Sequence, residues 1–257
     1  MTKLLNIDAN AKTIKGQKKG YMTAVMYLAP YKTSGINVCP FAEKAGCWQT
    51  CLNTAGRGGI SKSTFEANGI TLPDNAIQRA RIWRTQFWAN HRTEFLAQLV
   101  KEIEAFIKKA ERKGLTPVVR LNGTSDIQWE KVKIPRYRND IGPKANMMER
   151  FPNIQFYDYT KIPKRLATKL PSNYYLCLSY SAADAKYEKA CTTAIINGAS
   201  AVYVARDQKT KDRLLERFHE PVDGDEHDLR FLDPPQAAVV LKAKGSAKHE
   251  TNGFVLG

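Results

Sequence analysis

The 257-residue sequence predicts an α/β fold, in the form of a complete or partial (β/α) barrel. Short apolar segments alternate with helix-like segments, and the apolar segments are continuous rather than alternating in polarity. Strands of that kind are buried on both faces, as in parallel sheets with helical crossovers. An open, doubly wound parallel sheet is the alternative. Residues 1–20 are polar and lysine-rich and predict an extended arm, followed by one barrel-like domain over 21–257.

Each predicted element has its own signal. The first strand is YMTAVMYLAP, ending at Pro30, and a long loop follows it. Asp74 is a candidate N-cap for a helix with apolar residues at helical spacing, and a second helix ends at Gly114. The later strands are TPVVRLNG, IQFYDY, YYLCLSY, SAVYVAR and LRFL, and the segments between them are IPKRLATKL, ADAKYEKACTTAIING and TKDRLLERF.

The charge balance favours a polyanionic partner. Lysine and arginine number 40 against 25 acidic residues, which gives a net charge of +15. Phosphate neutralisation supplies most non-specific nucleic-acid affinity, so a nucleic acid or nucleotide is one expected partner. A generally basic surface that aids solubility is the other explanation. The longest apolar patches are strand-sized and the N-terminus lacks a signal-peptide block, so we expect a cytoplasmic protein without a membrane partner.

Polar residues end each predicted strand. In a parallel sheet these ends meet at one edge, where ligand sites form. The residues expected at this mouth are Asn122, Ser125, Asp126, Asp158, Tyr159, Thr160, Ser179, Tyr180, Ser181, Arg206 and Asp233. Any one of them is as easily explained as the cap of a following helix, but five such strand ends together favour a polar site.

The loop after the first strand contains three cysteines spaced C-x7-C-x3-C, namely Cys39, Cys47 and Cys51. In a reducing cytoplasm, clustered cysteines indicate metal or redox chemistry rather than disulfides. A structural zinc site needs four ligands, so His91, Cys177 or Cys191 would have to complete it. Three thiolates on a [4Fe–4S] cluster instead leave one iron open for a ligand. Both readings stay open at this point, as do free cysteines.

Three segments resemble the uncharacterised phage gene product 88-like family: NAKTIKG, LAPYKTSGINVCPFAEKAGCWQTCLNTAGRG and VVRLNGTSDIQWE. The resemblance covers the N-terminal half of the chain and implies a phage source, and hence the cytoplasm of a host cell. A three-cysteine loop after the first barrel strand is also similar to the layout of radical S-adenosylmethionine (SAM) enzymes. Their usual spacing is C-x3-C-x2-C, and this loop has a longer form.

The likeness to radical SAM enzymes implies a cofactor and residue roles. Cys39, Cys47 and Cys51 would bind three irons of a [4Fe–4S] cluster, whose fourth iron takes SAM. The segment with Asn122, Gly123, Ser125 and Asp126 stands where these enzymes hold the SAM amino group. Ser179 and Tyr180 would contact the ribose, and Arg206 the carboxylate.

The alternative function is a basic nucleic-acid-binding protein with a structural zinc site or free cysteines. Two segments bear on nucleic-acid contact. Residues 79–88 interleave arginines with aromatic residues, which suits single-stranded nucleic acid, although the spacing of these aromatics favours a core helix. Residues 131–140, KVKIPRYRND, are the better candidate for contact with phosphate.

Overall fold

The computed structural model of the protein describes residues 2–8, 10–135 and 145–257. The strands are β1 (Leu5–Ile7), β2 (Tyr21–Met26), β3 (Thr64–Ala67), β4 (Ile70–Pro73), β5 (Thr116–Arg120), β6 (Gln155–Thr160), β7 (Tyr174–Ser179), β8 (Ala201–Ala205), β9 (Pro221–Asp223), β10 (Ala238–Lys242) and β11 (Val255–Leu256). The helices are α1 (Ala11–Gly16), α2 (Tyr31–Ser34), α3 (Ala76–Asn90), α4 (Arg92–Glu111), α5 (Met147–Arg150), α6 (Ala185–Ile196) and α7 (Gln208–Arg217). No helix of this described part is long and apolar enough to cross a membrane.

One mostly parallel sheet organises the fold. Its strand order is β1-β2-β5-β6-β7-β8-β10-β9, and β11 pairs with β8. Only β1 runs antiparallel to its neighbour, whereas every pair from β2 to β9 is parallel. From β2 to β8 the order in space follows the order along the chain, as successive crossovers on one face produce. β3 and β4 form a separate hairpin.

Helices α3, α4 and α6 pack on one face of this sheet. α3 and α4 bury their apolar residues against side chains such as Met22 and Phe156. α6 packs against Leu178 on that same face, because Leu178 is two residues from Leu176 of the first core cluster. The opposite face carries Val118 and Tyr157, which pack against Leu229.

The sheet is open, so the predicted barrel closure is not confirmed. Among the described residues, β1 and β9 are edge strands and no pairing joins them. An open, mostly parallel α/β sheet agrees with the structure, whereas the double winding of the alternative is not confirmed, because α3, α4 and α6 share one face. Closure depends on whether the first and last strands meet, and the residue pattern of a single strand does not encode that.

Two predicted elements differ from the structure. The first twenty residues, expected as an extended arm, contain α1 and the edge strand β1, which pairs with β2 through Leu5 and Met26. The predicted strand LRFL is a short 3-10 helix, Arg230–Leu232. Arg230 is fully buried and donates Nη2–H to the carbonyl of His227 at 2.6 Å, which stabilises a turn instead of an extended strand. The last long parallel strand is β10, formed by the apolar segment that follows this turn.

Candidate functional site

The cysteine loop, residues 35–63, lies at the carboxyl ends of the parallel strands. The backbone N–H of Asp126, which follows β5, donates to the carbonyl of Val38 at 2.8 Å. The side-chain amide of Asn252, just before β11, donates to the carbonyl of Gly46 at 2.8 Å. The loop is therefore fixed from two sides to the edge of the sheet where ligand sites of α/β folds form.

Three thiols of this loop gather around Lys161, the residue that follows β6. The ammonium group of Lys161 is close enough to Cys39, Cys47 and Cys51 to lower the pKa of each thiol. The charge of Cys51 in turn raises the pKa of both other thiols. The negative charge of Asp126, at the neighbouring strand end, raises the pKa of Cys39, Cys47 and Lys161. The fold thus places three sulfur atoms, one cation and one carboxylate in a single region.

Protonation in this region is set by burial. Burial raises the pKa of all three thiols above the ordinary cysteine value, and Lys161 offsets only part of that rise. Burial also lowers the pKa of Lys161, but Cys47 and Cys39, at pH values where they are ionised, and the carboxylate of Asp126 shift this pKa upward overall. Without a bound metal the thiols are therefore protonated at neutral pH, and a metal that binds them must release protons.

Two cations beside the thiols have no carboxylate within ion-pair distance in the part of the chain that the structure describes. One is Lys161; the other is Arg81 of α3, which is only 8% exposed. Arg81 donates Nη1–H to the backbone carbonyl and side chain of Asn53, while its buried Nε has no hydrogen-bond partner among the described residues. The same holds for the buried hydroxyl of Thr50, next to Cys51. Unpaired cations and free donors make this region suited to an anionic group.

Asn122 organises the loop after β5. Its side-chain carbonyl accepts hydrogen bonds from Ser125 Oγ at 2.8 Å and Trp129 Nε1 at 3.2 Å. Its side-chain amide donates to Asp158 Oδ2 at 3.1 Å, and that carboxyl oxygen also accepts from the hydroxyl of Tyr174 at 2.8 Å. Burial raises the pKa of Asp158 to about 7. Asn122 and Ser125 therefore bond within the protein, where they hold two strand ends together.

Asp126 belongs to a second buried network. Its carboxylate accepts from the backbone N–H of Lys161 at 2.6 Å and from Thr160 Oγ1 at 3.2 Å. Arg165 Nη1 lies 2.8 Å from the other carboxylate oxygen, and both side chains are nearly inaccessible. Arg165 also binds Glu130 with two hydrogen bonds, of 3.1 and 2.8 Å. This network fixes Lys161 and hence the position of the cation among the thiols.

Gly123 is explained by a close approach of two strand ends. Its N–H donates to the carbonyl of Met26 at 2.9 Å. A Cβ at this position would lie 2.6 Å from that oxygen and 2.6 Å from the ring of Tyr27. The glycine therefore lets the loop after β5 pack against the end of β2, the strand that precedes α2 and the cysteine loop.

The remaining predicted SAM contacts lie farther along the sheet. Ser179 is buried at the end of β7, and the hydroxyl of Tyr180 donates to Glu188 at 2.6 Å. Arg206, at the end of β8, donates Nη1–H to the carbonyl of Lys248 at 3.2 Å. Arg206 thus contacts the C-terminal segment. Asp233 is not at a strand end and lines a cavity of about 420 Å³ with residues 197–200, before β8.

The three candidate fourth ligands for zinc, Cys177, Cys191 and His91, lie in three separate environments. Cys177 packs among apolar side chains on the sheet, where burial raises its pKa to about 12. Cys191 of α6 shares an apolar cluster with Cys47. His91 is exposed at the junction of α3 and α4. In the described ranges, no three His, Cys, Asp or Glu side chains are arranged to hold one metal ion.

Of the two segments considered for nucleic-acid contact, residues 79–88 form part of α3, and residues 131–140 lie only partly within the described residues. Trp88 of α3 is buried in the main core, and Trp83 and Phe87 pack against that core, so the core-helix interpretation is confirmed. Arg81 and Arg84 on the same helix are buried as well. In KVKIPRYRND, residues 136–140 lie outside the described residues.

Sequence reasoning missed the charged residues that surround the thiols. Lys161 follows the predicted strand IQFYDY by two residues. This position near a predicted strand end is the signal that could have identified it as a site residue. Arg165 lies in a segment that reads as a helix, where a basic residue is ordinarily exposed. Arg81 was considered only as one cation of a basic helix.

The fold and the site define an α/β protein with an open, mostly parallel sheet and a three-cysteine loop at its carboxyl edge. The model of the family Gene product 88 matches residues 3–256. The chain therefore belongs to the Gene product 88 family, a family of phage proteins. No match was found among curated proteins or among solved structures.

Proposed function

We propose that this protein is an iron–sulfur protein of the radical SAM type, with Cys39, Cys47 and Cys51 as ligands of a [4Fe–4S] cluster. The observation that carries the proposal is the gathering of three thiols around Lys161 at the carboxyl edge of a parallel sheet. Cluster ligands bind different irons, so they lie farther apart than the ligands of a single ion. Thiols that lie close enough to influence one another's charge suit that arrangement.

The unpaired cations support the same proposal. Three thiolates and a cluster together carry net negative charge, which is costly to bury unless cations lie nearby. Lys161 and Arg81 supply two positive charges beside the thiols, and neither has a carboxylate within ion-pair distance among the described residues. The free donors at Thr50 and Arg81 Nε can hydrogen-bond sulfur atoms or a bound carboxylate.

A cluster bound here would supply an electron for the reductive cleavage of SAM, and the 5′-deoxyadenosyl radical released by that cleavage would abstract a hydrogen atom from a substrate. The chain's own residues do the rest. The network of Asn122 and Asp126 fixes the shape of the mouth, because those side chains already bond within the protein. The contacts proposed for SAM come from Ser179, Tyr180 and Arg206.

Iron content tests the proposal. Protein purified without air is expected to hold about four irons per chain and to absorb broadly in the visible range. Cys39→Ala, Cys47→Ala and Cys51→Ala should each lose this absorbance with an intact circular dichroism spectrum. Cys191→Ala, a cysteine outside the loop, should keep it. SAM should perturb the electron paramagnetic resonance signal of the reduced protein, and stoichiometric zinc without iron would contradict the proposal.

The second candidate is a basic nucleic-acid-binding protein with structural zinc or free cysteines, and the net charge of +15 favours it. It predicts steeply salt-dependent binding to DNA or RNA without iron. Unfolding on metal removal would indicate a structural site, whereas loss of colour with the fold intact indicates a cluster.

A further inference from the structure

Several large apolar side chains are exposed in or beside the cysteine loop. Trp48, which follows Cys47, is 37% exposed, and Leu52, which follows Cys51, is 52% exposed. Tyr31, at the start of α2, is 53% exposed. Exposed apolar residues that gather at one place mark an interaction site more often than scattered ones do.

A lysine covers one of these aromatic rings. The ammonium group of Lys32 lies 3.9 Å from the ring centroid of Trp48, so α2 and the cysteine loop meet at this surface. Trp48 is also the exposed one of the chain's four tryptophans, since the others are at least half-buried. An exposed ring with an adjacent cation is the combination that binds a nucleobase and its phosphate. Tyr31, Lys32, Trp48 and Leu52 are called the loop rim below.

The charge around the loop rim favours a polyanion. Residues 28–63 contain four cations and one acidic residue, and all four cations are exposed. The whole chain has a net charge of +15. An acidic protein could match the charge but would leave the ring of Trp48 without a planar partner, whereas nucleic acid matches both features.

We infer that the loop rim binds single-stranded nucleic acid, with one base stacked on Trp48 in place of the Lys32 ammonium group, which moves from the ring to the backbone phosphate. Single strands are preferred because an unpaired base can reach the ring, whereas a duplex keeps its bases stacked inside. A base on Trp48 would lie directly beside Cys47. The inference names the substrate class of the proposed iron–sulfur site and rests on that proposal for the role of the cysteines.

The test measures binding of a labelled oligothymidine by fluorescence anisotropy, on protein prepared without air. Trp48→Ala should weaken binding about tenfold, and Trp48→Phe should retain most of it because the ring remains. Lys32→Gln should weaken binding and reduce its salt dependence. Lys113→Gln removes an equal charge at an exposed position after α4 and should have little effect.

Three results would each overturn the inference: equal binding by Trp48→Ala and the natural protein, equal losses for Lys113→Gln and Lys32→Gln, or duplex binding as tight as single-strand binding. Absence of binding at low salt would overturn it as well. Iron content, measured on the same samples, decides the cluster proposal separately. If binding depends on Trp48 but the protein holds no iron, the loop-rim inference stands and the cluster proposal is wrong. If the protein holds iron but binding does not depend on Trp48, the cluster proposal stands and the loop-rim inference is wrong.

Discussion

Asp158 shows how a single buried side chain can depend on its neighbours. It is fully buried, accepts hydrogen bonds from the backbone and side chain of Asn122 and from Tyr174, and forms no ion pair with any described residue. Burial raises its pKa from the ordinary 3.8 to about 7. Between these two values the folded protein keeps a proton that the unfolded chain has released. The contribution of Asp158 to stability is therefore full below the ordinary pKa and is lost as the pH rises towards 7.

We expect Asp158→Asn to remove this pH dependence, because an amide does not titrate. The free energy of unfolding of the natural protein should fall between pH 4.5 and pH 7.5 more steeply than that of the variant. The difference corresponds to about 1.4 kcal/mol for each unit by which the pKa is raised. Urea titrations across this pH range measure it. Asp212→Asn, at an exposed position of α7, should follow the natural protein, and parallel curves for Asp158→Asn would contradict the expectation.

Gly123→Ala should destabilise the protein by about 1–3 kcal/mol. The new methyl group would lie 2.6 Å from the carbonyl oxygen of Met26 and from the ring of Tyr27, so two strand ends would have to separate. Gly16→Ala is the matched control, because its methyl group would meet only Leu229 at 3.5 Å. Thermal or urea unfolding compares the two variants. Equal stability would show that the ends of β2 and β5 can separate at little cost.

At the scale of elements, the edge strand β1 is held by helix α4 as well as by β2. Both carboxylate oxygens of Glu102 accept from the N–H of Leu4, at 3.0 and 2.9 Å, and one also accepts from Leu5 at 2.9 Å. A carboxylate can accept from several donors at once, and charged acceptors make the stronger hydrogen bonds. Helix α4 thus fixes a segment whose polar composition alone predicts an arm.

Glu102→Gln should weaken the attachment of β1 by about 1–3 kcal/mol, because the amide turns a donor towards these N–H groups. Hydrogen exchange is the sharper readout: protection of residues 4–7 should fall while that of β6 and β7 stays unchanged. Glu104→Gln on the same helix is the control, since Glu104 is exposed and pairs with Arg150 at 3.6 Å. Unchanged protection of residues 4–7 would mean that pairing with β2 is sufficient.

Most parallel strands could be predicted because each buried strand is a continuous apolar run. β5, β7 and β8 fall within the segments expected from sequence, and β6 extends one residue beyond its segment, to Thr160. LRFL is mostly apolar as well, but the side chain of its second residue, Arg230, donates to the carbonyl of His227 and so stabilises a turn. A hydropathy pattern does not reveal this contact. The cations at the site were missed for a related reason. The burial of Arg81 and the partial burial of Lys161 depend on contacts with segments distant in sequence, so both are properties of tertiary packing.

At the scale of the whole molecule, the N-terminal helix α1 and the late elements are joined at Asp225. Its carboxylate lies 2.9 Å from Lys12 of α1, 3.1 Å from Lys211 of α7 and 3.5 Å from Lys244 after β10. It also accepts from the backbone N–H of Lys242 at 2.9 Å. In an open sheet the edge strands lack the mutual pairing that closure would provide. Ionic contacts between distant segments compensate for part of that at this edge.

Asp225→Asn should therefore lower stability at neutral pH, and the loss should disappear in acid. Burial raises the pKa of Asp225, but the N–H of Lys242 and the cation of Lys12 outweigh it and hold the pKa well below the usual range. A depressed pKa gives stability that is present above the ordinary value and is lost as the pH falls through the folded value. The carboxylate is partly exposed, so screening limits the loss at pH 7 to about 1–2 kcal/mol.

Unfolding curves of the natural protein and Asp225→Asn at pH 7 and at progressively lower pH test this expectation. The gap between them should narrow once the pH falls below the ordinary pKa of an aspartate. Glu226→Gln, at the exposed neighbouring position, should show no such gap. A gap that stays constant with pH would mean that Asp225 joins these segments through the shape of its hydrogen bonds and not through its charge.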